Sequence, residues 1–328
     1  PSDFADLQAA LDAAGPGDRI QVLDTAEYQG PFVIDDSERL AGVHLNAVQS
    51  ATLTGPPTLP VLTLKGTPGV QVQGFRVRCG PEHPGLLVQG NVPGAKFQNV
   101  RFEQPEESTG PAILLTDGCC GNAGGEDFII RLCRFRSVVG SIELRTTGTG
   151  PQEALAHLLI DGNFLTGPAT HLKLTGTARN VTFNHNVLFG GHGVEVDLAG
   201  GNSGDLNISQ NTFFRMDSWL RFVDASRDYT GVACNNLILE TPDESPLANL
   251  ADWQIPWEMH HNVWERSTPL DAAIPDGLFL VVPDAGVPER VPDTGPFLVP
   301  ARDGFAATGS SSASYLGAMD PALGPDPP

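Results

Sequence analysis

Short segments in which apolar and polar residues alternate recur along the whole chain. Each segment alternates, bends at a small or amide residue and then becomes apolar again, as in NVTFNHNVLF from Asn180. From Asn163 onward, the bends are 23, 25 and 51 residues apart, and the last interval covers two repeats. The aligned bend positions are Cys133, Asn163, Asn186, Asn211 and Asn262, with Asn235 and Asn236 near the bend of the segment from Val232.

A second series of strand-like segments lies between the bends, including SIELRTTG from Ser141, HLKLTG from His171 and GVEVDLAG from Gly193. Two or three short strands in about 25 residues, without helical periodicity between them, predict a right-handed parallel β-helix. A propeller blade needs about 40–45 residues, which is longer than the repeat. Stacked rungs are about 4.8 Å apart, so the amides at the bends are expected to form a hydrogen-bonded ladder. We therefore predict an all-β fold, a single-stranded right-handed parallel β-helix with a short N-terminal capping helix.

The ends of the coil and one insertion define its organisation. In DFADLQAALDAA, the residues Phe4, Leu7, Ala10 and Leu11 have helical spacing, and Asp3 is the expected N-cap. The helix is expected to cover one end of the coil, where a strand edge would otherwise be exposed. The predicted organisation is a β-helix over residues 1–320, with an N-terminal cap at 1–17, a loop insertion at 240–258, a C-terminal wrap at 276–320 and a Pro-rich tail at 321–328.

Two motifs carry a family resemblance. FADLQAALDAAGPGDRIQVL, followed by EYQGPFVI, resembles the entry segment of pectate-lyase-like right-handed β-helix proteins. SYLGAMDP resembles the Leu-Gly-Ala that often ends such domains. Similar domains occur in large bacterial surface proteins and in extracytoplasmic parts of kinases, so the resemblance implies an extracytoplasmic location. It implies a fold more than an activity, because the superfamily includes lyases, hydrolases, epimerases and binding modules.

Composition narrows the classes of partner. The net charge of −20 opposes binding to nucleic acid and to anionic membrane surfaces. No run of 18 apolar residues occurs, so this chain is not expected to insert into a membrane. The five cysteines are irregularly spaced without a CxxC pair, which gives little support to a structural zinc site. A disulfide between Cys79 and the Cys119-Cys120 pair and free thiols both stay open.

The second strands are expected to present charged side chains on one outer face, here called the charged face. Residues that alternate with the inward Ile142, Leu144, Leu172 and Leu174 should point outward and stack across rungs. One outward column reads Leu87, Leu114, Glu143, Lys173, Glu195 and Arg221, and the next reads Gln89, Thr116, Arg145, Thr175, Asp197 and Val223. A third column reads Ser141, His171, Gly193 and Trp219.

This face allows a saccharide site or a ladder of stabilising ion pairs. A lyase that acts on uronic acids needs a base and a cation for the carboxylate; Arg145, Lys173 and His171 are candidate catalytic residues, and Glu195 and Asp197 are candidate Ca²⁺ ligands. A hydrolase needs two carboxylates about 5–10 Å apart, for which Glu143, Glu195 and Asp197 are available. Glu143, Trp219 and Arg221 are candidate substrate-binding residues. Alternating charges are equally what a stabilising ladder predicts.

His192 is a further catalytic candidate. Gly191-His192-Gly193 resembles the Gly-His-Gly of polygalacturonases, in which the histidine assists paired aspartates. That family also has Asn-Thr-Asp and Asp-Asp in the preceding rungs and a later Arg-Ile-Lys. Here the preceding rungs offer Asp161-Gly162-Asn163 and no Asp-Asp, and no Arg-Ile-Lys occurs, so a turn residue between flexible glycines is the simpler interpretation of His192.

Two tryptophans of the 240–258 insertion, Trp253 and Trp257, are candidate sugar-stacking residues. Burial of these rings against the coil is the alternative.

Three hypotheses on function follow. The first is an extracytoplasmic carbohydrate-interacting or surface-recognition module without catalysis. The second is a lyase or glycoside hydrolase that acts on an acidic polysaccharide through the charged face, so the sequence leaves open whether the chain is an enzyme. The third is a structural or protein-interaction domain of a larger kinase-linked protein, with an unknown protein partner.

Overall fold

The computed structural model describes residues 4, 6–116, 118–119, 127–146, 155–198, 204–223, 230–239, 257–260, 262–265 and 279–282. Over these residues the chain forms a parallel β-solenoid of about eight turns with one short N-terminal helix. Each complete turn contains three strands, which belong to three different parallel sheets. The predicted all-β parallel coil is confirmed.

Strands of successive turns pair in parallel, and we name the three sheets A, B and C. Within the described ranges, sheet A consists of β1 (Arg19–Val22), β4 (His44–Ala47), β7 (Gln71–Gln73), β10 (Lys96–Gln98), β13 (Phe128–Arg131), β16 (Leu155–Asp161), β19 (Ala178–Asn184), β22 (Gly204–Ser209), β25 (Gly231–Cys234) and β27 (Trp257–His260). Sheet B consists of β2 (Glu27–Gln29), β5 (Thr52–Thr54), β8 (Arg76–Arg78), β11 (Arg101–Glu103), β14 (Arg134–Arg136), β17 (Phe164–Thr166), β20 (Val187–Phe189), β23 (Thr212–Phe214), β26 (Leu237–Leu239), β28 (Asn262–Glu265) and β29 (Phe279–Val282). Sheet C consists of β3 (Phe32–Ile34), β6 (Leu62–Lys65), β9 (Leu86–Gln89), β12 (Ile113–Leu115), β15 (Gly140–Arg145), β18 (Thr170–Gly176), β21 (His192–Leu198) and β24 (Ser218–Phe222).

The core is a continuous stack of apolar side chains along the inside of the coil. Most strands alternate between buried and more exposed residues, as the period of two along a strand requires. The predicted inward pairs are all buried, among them Leu172 and Leu174, which are each 1% exposed. Stacked rings add to the core, because Phe102 and Phe135 on neighbouring turns lie 5.0 Å apart with an interplanar angle of 7°.

Five buried asparagines form the predicted ladder at the turn between sheets A and B. In each step, a backbone N–H and a side-chain N–H of one asparagine donate to the amide oxygen of the next. Asn186, for example, donates to Asn211 Oδ1 from its backbone nitrogen at 2.9 Å and from Nδ2 at 3.1 Å. Its Nδ2 also donates to Ile160 O at 3.0 Å, which satisfies the second side-chain proton. The members are Asn163, Asn186, Asn211, Asn236 and Asn262.

The structure identifies which residue of the Asn235-Asn236 pair belongs to the ladder. Asn236 is fully buried in the row, whereas Asn235 precedes it with a φ of 55°. His185 occupies the same position on an earlier turn, with a φ of 53°. The turn therefore consists of one left-handed residue followed by one inward residue. On earlier turns the inward residue is apolar (Ala51, Phe75 and Val100) or Cys133, whose backbone N–H donates to Asn163 Oδ1 at 2.8 Å.

The N-terminal helix α1 (Leu7–Ala13) covers one end of the coil. Its N-cap is Asp6, not Asp3 as predicted, because the Asp6 carboxylate accepts a hydrogen bond from Gln8 N at 2.9 Å. Leu7 and Leu11 join the main core. Phe4, also expected on the apolar side of the helix, is 47% exposed because the helix begins only after it.

Strand pairing changes two predicted boundaries. Trp257 and Glu258, expected in the 240–258 insertion, belong to β27, which pairs with β25. Phe279–Val282, expected in the C-terminal wrap, forms β29 and pairs with β28. Both segments thus extend the solenoid. The remaining residues of the insertion (240–256) and of the wrap, and the tail at 321–328, lie outside the described residues.

We predict that Asn211→Leu lowers the free energy of unfolding by about 2–5 kcal/mol. The substitution removes the acceptor of the Asn186 N–H and the side-chain donor to Phe183 O, which leaves two buried backbone groups without these partners. Chemical denaturation measures the effect. Asn207→Ala is the matched control: Asn207 lies on the same turn but outside the ladder, and its change should stay within about 0.5 kcal/mol. An equal loss in both variants would contradict the role of the ladder.

Candidate functional site

The charged face lies on sheet C, and its main column is the one expected from the sequence. Strand register places Glu143 beside Lys173, Lys173 beside Glu195, and Glu195 beside Arg221. In the neighbouring column, Arg145 pairs with Thr175 and Thr175 with Asp197. Four adjacent strands, β15, β18, β21 and β24, therefore bring six charged residues onto one surface.

Ion pairs organise this surface so that the acids are recessed and the bases are exposed. Lys173 Nζ lies 3.1 Å from Glu195 Oε1, and Arg221 Nη1 lies 3.6 Å from Glu195 Oε2. Arg145 Nη2 donates to Glu143 Oε1 at 2.7 Å. The side chains of Glu143 and Glu195 are 13% and 14% exposed, whereas those of Arg145, Lys173 and Arg221 are 51%, 41% and 50% exposed. Solvent therefore meets mainly the cationic groups.

The predicted Ca²⁺ ligands Glu195 and Asp197 lie on this face two residues apart in β21. Both Glu195 oxygens are already held by cations. Ca²⁺ takes six to eight oxygen ligands. Among the described residues, no group of three or more histidine, cysteine or acidic side chains is arranged to hold a metal ion. The geometry of this face thus fits an ion-pair ladder better than a metal site.

His171 and Trp219 do not lie on the charged face, which corrects the placement expected from the sequence. Both residues are fully buried. In β15, β18, β21 and β24, two successive residues are buried, such as His171 with Leu172 and Trp219 with Leu220. The register skips the first member of each pair, so the regular alternation of the strands breaks at this corner. A buried imidazole or indole has no contact with a polymer on the outside of the coil.

His171 instead belongs to a buried polar chain. Its Nε2 lies 2.8 Å from Gly190 O, and its Nδ1 lies 3.0 Å from Ser141 Oγ. Because a carbonyl oxygen only accepts, Nε2 carries the proton, and in the neutral ring Nδ1 accepts from Ser141. Ser141 Oγ is also 3.0 Å from Ser137 Oγ, which must then be the donor in that contact. These hydrogen bonds link Ser137 to Gly190 O, and both imidazole nitrogens of His171 have a partner.

Burial lowers the pKa of His171 from 6.5 to about 4, and the nearby His192 adds to the decrease. The imidazole is therefore neutral near pH 7 and stays so well below it. A neutral, fully hydrogen-bonded histidine inside the coil has a structural role.

His192 is the first residue of β21, so it lies in a strand and not in the turn expected from the sequence. The bend is formed by Gly190 and Gly191, whose φ angles are 72° and 68°. A Cβ atom on Gly193 would clash with Trp219 O and the ring of Phe213, so packing explains the third glycine. His192 Nδ1 lies 2.9 Å from Ser218 Oγ on the next turn. The Gly-His-Gly run is thus accounted for by the scaffold.

The two candidate tryptophans of the insertion have no described site. Trp253 lies outside the described residues, and only the backbone of Trp257 is described, at the start of β27.

The cysteines differ in state. Cys119 is disulfide-bonded. Cys79, Cys133 and Cys234 are free thiols, so the disulfide from Cys79 that the sequence left open does not form. Burial raises the pKa of Cys79 and of Cys133 to about 12, which keeps both thiols protonated and unreactive.

The sequence pattern missed a second charged surface, on sheet B. The repeats RVR, RFE and RFR place arginines at the same positions of β8, β11 and β14. Strand register then brings Arg76, Arg101 and Arg134 into one column. The signal was the recurring arginine after each bend, and it becomes visible only when these strands are aligned with one another.

Comparisons of the chain with protein-family models, with curated proteins and with solved structures found no match. Within the described part of the chain, no helix combines the length and the hydropathy that crossing a membrane requires.

We predict that the protein loses stability as the pH falls from about 7 to about 4, and that His171 contributes roughly 3 kcal/mol of this loss. The pKa of His171 is lower in the folded chain than in the unfolded chain, so acid favours the unfolded state, which binds the proton. Urea denaturation at several pH values measures the effect.

His171→Gln removes the titrating ring and keeps a side-chain donor. The difference between wild type and variant isolates His171, because the carboxylates titrate in both. A wild type and variant with parallel pH profiles would show that His171 is not buried as a neutral base.

Proposed function

We propose that the chain is a carbohydrate-recognition module that binds an acidic polysaccharide through the charged face and does not cleave it. One observation carries the proposal: three half-exposed cations, Arg145, Lys173 and Arg221, stand in front of carboxylates that are nearly buried. The recessed acids hold the cations in place, and the cations are the groups that a ligand meets.

The geometry suits an extended anionic ligand. Arg145 and Lys173 lie on neighbouring strands, and Arg221 lies two strands beyond Lys173. With strands about 4.8 Å apart, cationic groups are spread along the coil axis. A uronic-acid polymer carries one carboxylate per sugar and can meet several of them at once. The net charge of −20 opposes non-specific capture of polyanions, so binding depends on this local surface.

The surroundings of the candidate catalytic residues favour binding over turnover. His171 is fully buried, and the carboxylate of Glu195 lies against the ammonium of Lys173. A general base must be deprotonated and within reach of the substrate. His171 does not meet the second condition, and Lys173 is engaged in the ion pair with Glu195.

Two further observations support a surface-recognition module outside the cytoplasm. Cys119 is disulfide-bonded, and disulfides persist mainly in oxidising compartments. The entry segment FADLQAALDAAGPGDRIQVL resembles that of pectate-lyase-like β-helix proteins, many of which act on extracellular polysaccharides.

We expect polygalacturonate to retard the wild-type protein in affinity electrophoresis, and neutral dextran not to. Lys173→Gln and Arg145→Gln should each weaken the interaction by about threefold to tenfold, because each removes an exposed cation from the face. Binding should also weaken as salt rises. Lys65→Gln is the matched control: it removes a cation from the same sheet, at β6, outside the charged face.

Equal retardation of wild type, Lys173→Gln and Arg145→Gln would show that the charged face is not the binding site. No retardation by any acidic polysaccharide in a panel would contradict the function itself.

A second candidate function is hydrolysis or elimination on the same polysaccharide. The observation in its favour is that Glu143 and Glu195 share one column with Lys173 between them, so two carboxylates lie two strands apart on one face. If this candidate holds, incubation produces unsaturated uronates or new reducing ends, and Lys173→Ala or Arg145→Ala abolishes turnover with an unchanged circular dichroism spectrum. We expect neither product from the wild-type protein.

A further inference from the structure

A cationic surface on sheet B lies apart from the charged face and is more strongly basic. Its centre is the arginine column, which we define as Arg76, Arg101 and Arg134 on β8, β11 and β14. Arg78 and Arg136 flank the column on the same strands. Five of the 19 basic side chains of a chain with a net charge of −20 thus stand on three consecutive strands.

Among the described residues, two carboxylates form ion pairs with arginines of this surface. Glu103 lies between Arg78 and Arg136 in the register and forms an ion pair with Arg76 at 3.4 Å. Glu27 pairs with Arg78 at 3.1 Å. Arg101, at the centre of the column, is in register with an arginine on each side. Like charges on neighbouring strands, about 4.8 Å apart, repel each other, so the column is unfavourable for folding alone.

Two features describe the electrostatic environment of the column. Arg76 Nε is buried without a hydrogen bond, although Glu103 Oε1 lies 3.4 Å away as an ion-pair partner. Burial, and then the charge of Arg101, lowers the pKa of Arg134. An anion seated over the column would accept hydrogen bonds from exposed guanidinium N–H groups and reduce the repulsion.

We propose that the arginine column is a binding site for a tetrahedral oxyanion, a sulfate or phosphate group. Guanidinium groups present planar pairs of donors that match such oxygens, and arginines on adjacent strands can donate to one group together. The anionic remainder of the chain opposes long polyanions, which favours a single oxyanion group or a short ligand that carries one. The site and the charged face lie on different sheets. The proposal is therefore independent of the function proposed above.

The residue that follows Arg134 in the column indicates what kind of molecule could carry the oxyanion. Arg134 pairs with Phe164 on β17, and the Phe164 ring is partly exposed. An aromatic ring beside a cationic site offers a face to the apolar side of a sugar. The oxyanion can therefore be free or an ester on a sugar, and the experiment separates these sources.

The test is isothermal titration calorimetry with inorganic sulfate and inorganic phosphate, at an ionic strength held constant with sodium chloride. Calorimetry is preferred to thermal shift, because sulfate stabilises folded proteins generally. We expect saturable binding to wild type and a loss of about tenfold or more in affinity for Arg101→Gln, which removes the central cation.

Matched controls distinguish this site from others. Arg131→Gln removes an exposed arginine of sheet A that is paired with Asp161, and Lys173→Gln removes a cation of the charged face. Both should bind sulfate as wild type does. Wild-type heats equal to those of sodium chloride alone, or undiminished binding by Arg101→Gln, would overturn the proposal. The loss of sulfate binding in Lys173→Gln alone would overturn it too, since the anion would then sit on sheet C.

Stability without added oxyanion gives an independent readout. Because repulsion inside the column is relieved, Arg101→Gln should unfold at the same or a slightly higher temperature than wild type in a chloride buffer. A marked decrease in its Tm would mean that the arginines stabilise the fold, which contradicts a ligand role.

A sulfated disaccharide and its desulfated form identify the source of the oxyanion. Tighter binding of the sulfated form than of inorganic sulfate, reduced by Phe164→Ala, indicates an ester, whereas binding of the free anions only indicates an inorganic ligand.

Discussion

From Asn163 to Asn262, the row of buried asparagines determines how each turn of this coil sits on the next. A buried amide that lacks a partner costs about 1–3 kcal/mol per polar group, so each asparagine must meet the one on the following turn. Asn186 contacts Asn211, and Asn211 contacts Asn236, through the same pair of hydrogen bonds. A shift of one residue would replace Asn186 in the row by His185 or Val187, which cannot form the same pair of amide hydrogen bonds. The ladder thus sets the register for the strands on both sides of the turn.

Because register is fixed, outward residues become columns, and the columns give the surface its chemistry. On sheet C, alternating signs pair Glu195 with Lys173 and Arg221, which leaves cations exposed over recessed acids. On sheet B, parallel strand pairing on turns that precede the ladder places Arg76, Arg101 and Arg134 beside one another. The charges in the sheet C column alternate in sign and balance one another, whereas the arginine column carries positive charges only. That difference is why the two surfaces are assigned different ligands, a polysaccharide on sheet C and an oxyanion on sheet B.

The sequence predicted those features that recur with the repeat and missed those that depend on local departures from it. The coil, the ladder and the column from Glu143 to Arg221 follow from periodicity alone. His171 and Trp219 were misplaced because alternation was extended through a corner at which two successive residues turn inward. The capping residue was assigned to Asp3 and not Asp6 because both acids precede the same apolar spacing. The arginine column was missed because loops of unequal length separate its members along the chain.

Hydrogen exchange measured by NMR at the backbone amides of Asn163, Asn186, Asn211 and Asn236 tests the role of the ladder most directly. Each of these amides donates to the side chain of the next asparagine and to no strand partner. If the ladder fixes the register, these amides exchange as slowly as those of core strands such as β19. Exchange as fast as that of the exposed turn residues Glu106 and Glu107 would show that the turns are held together by the strands alone, and the ladder would lose its central place.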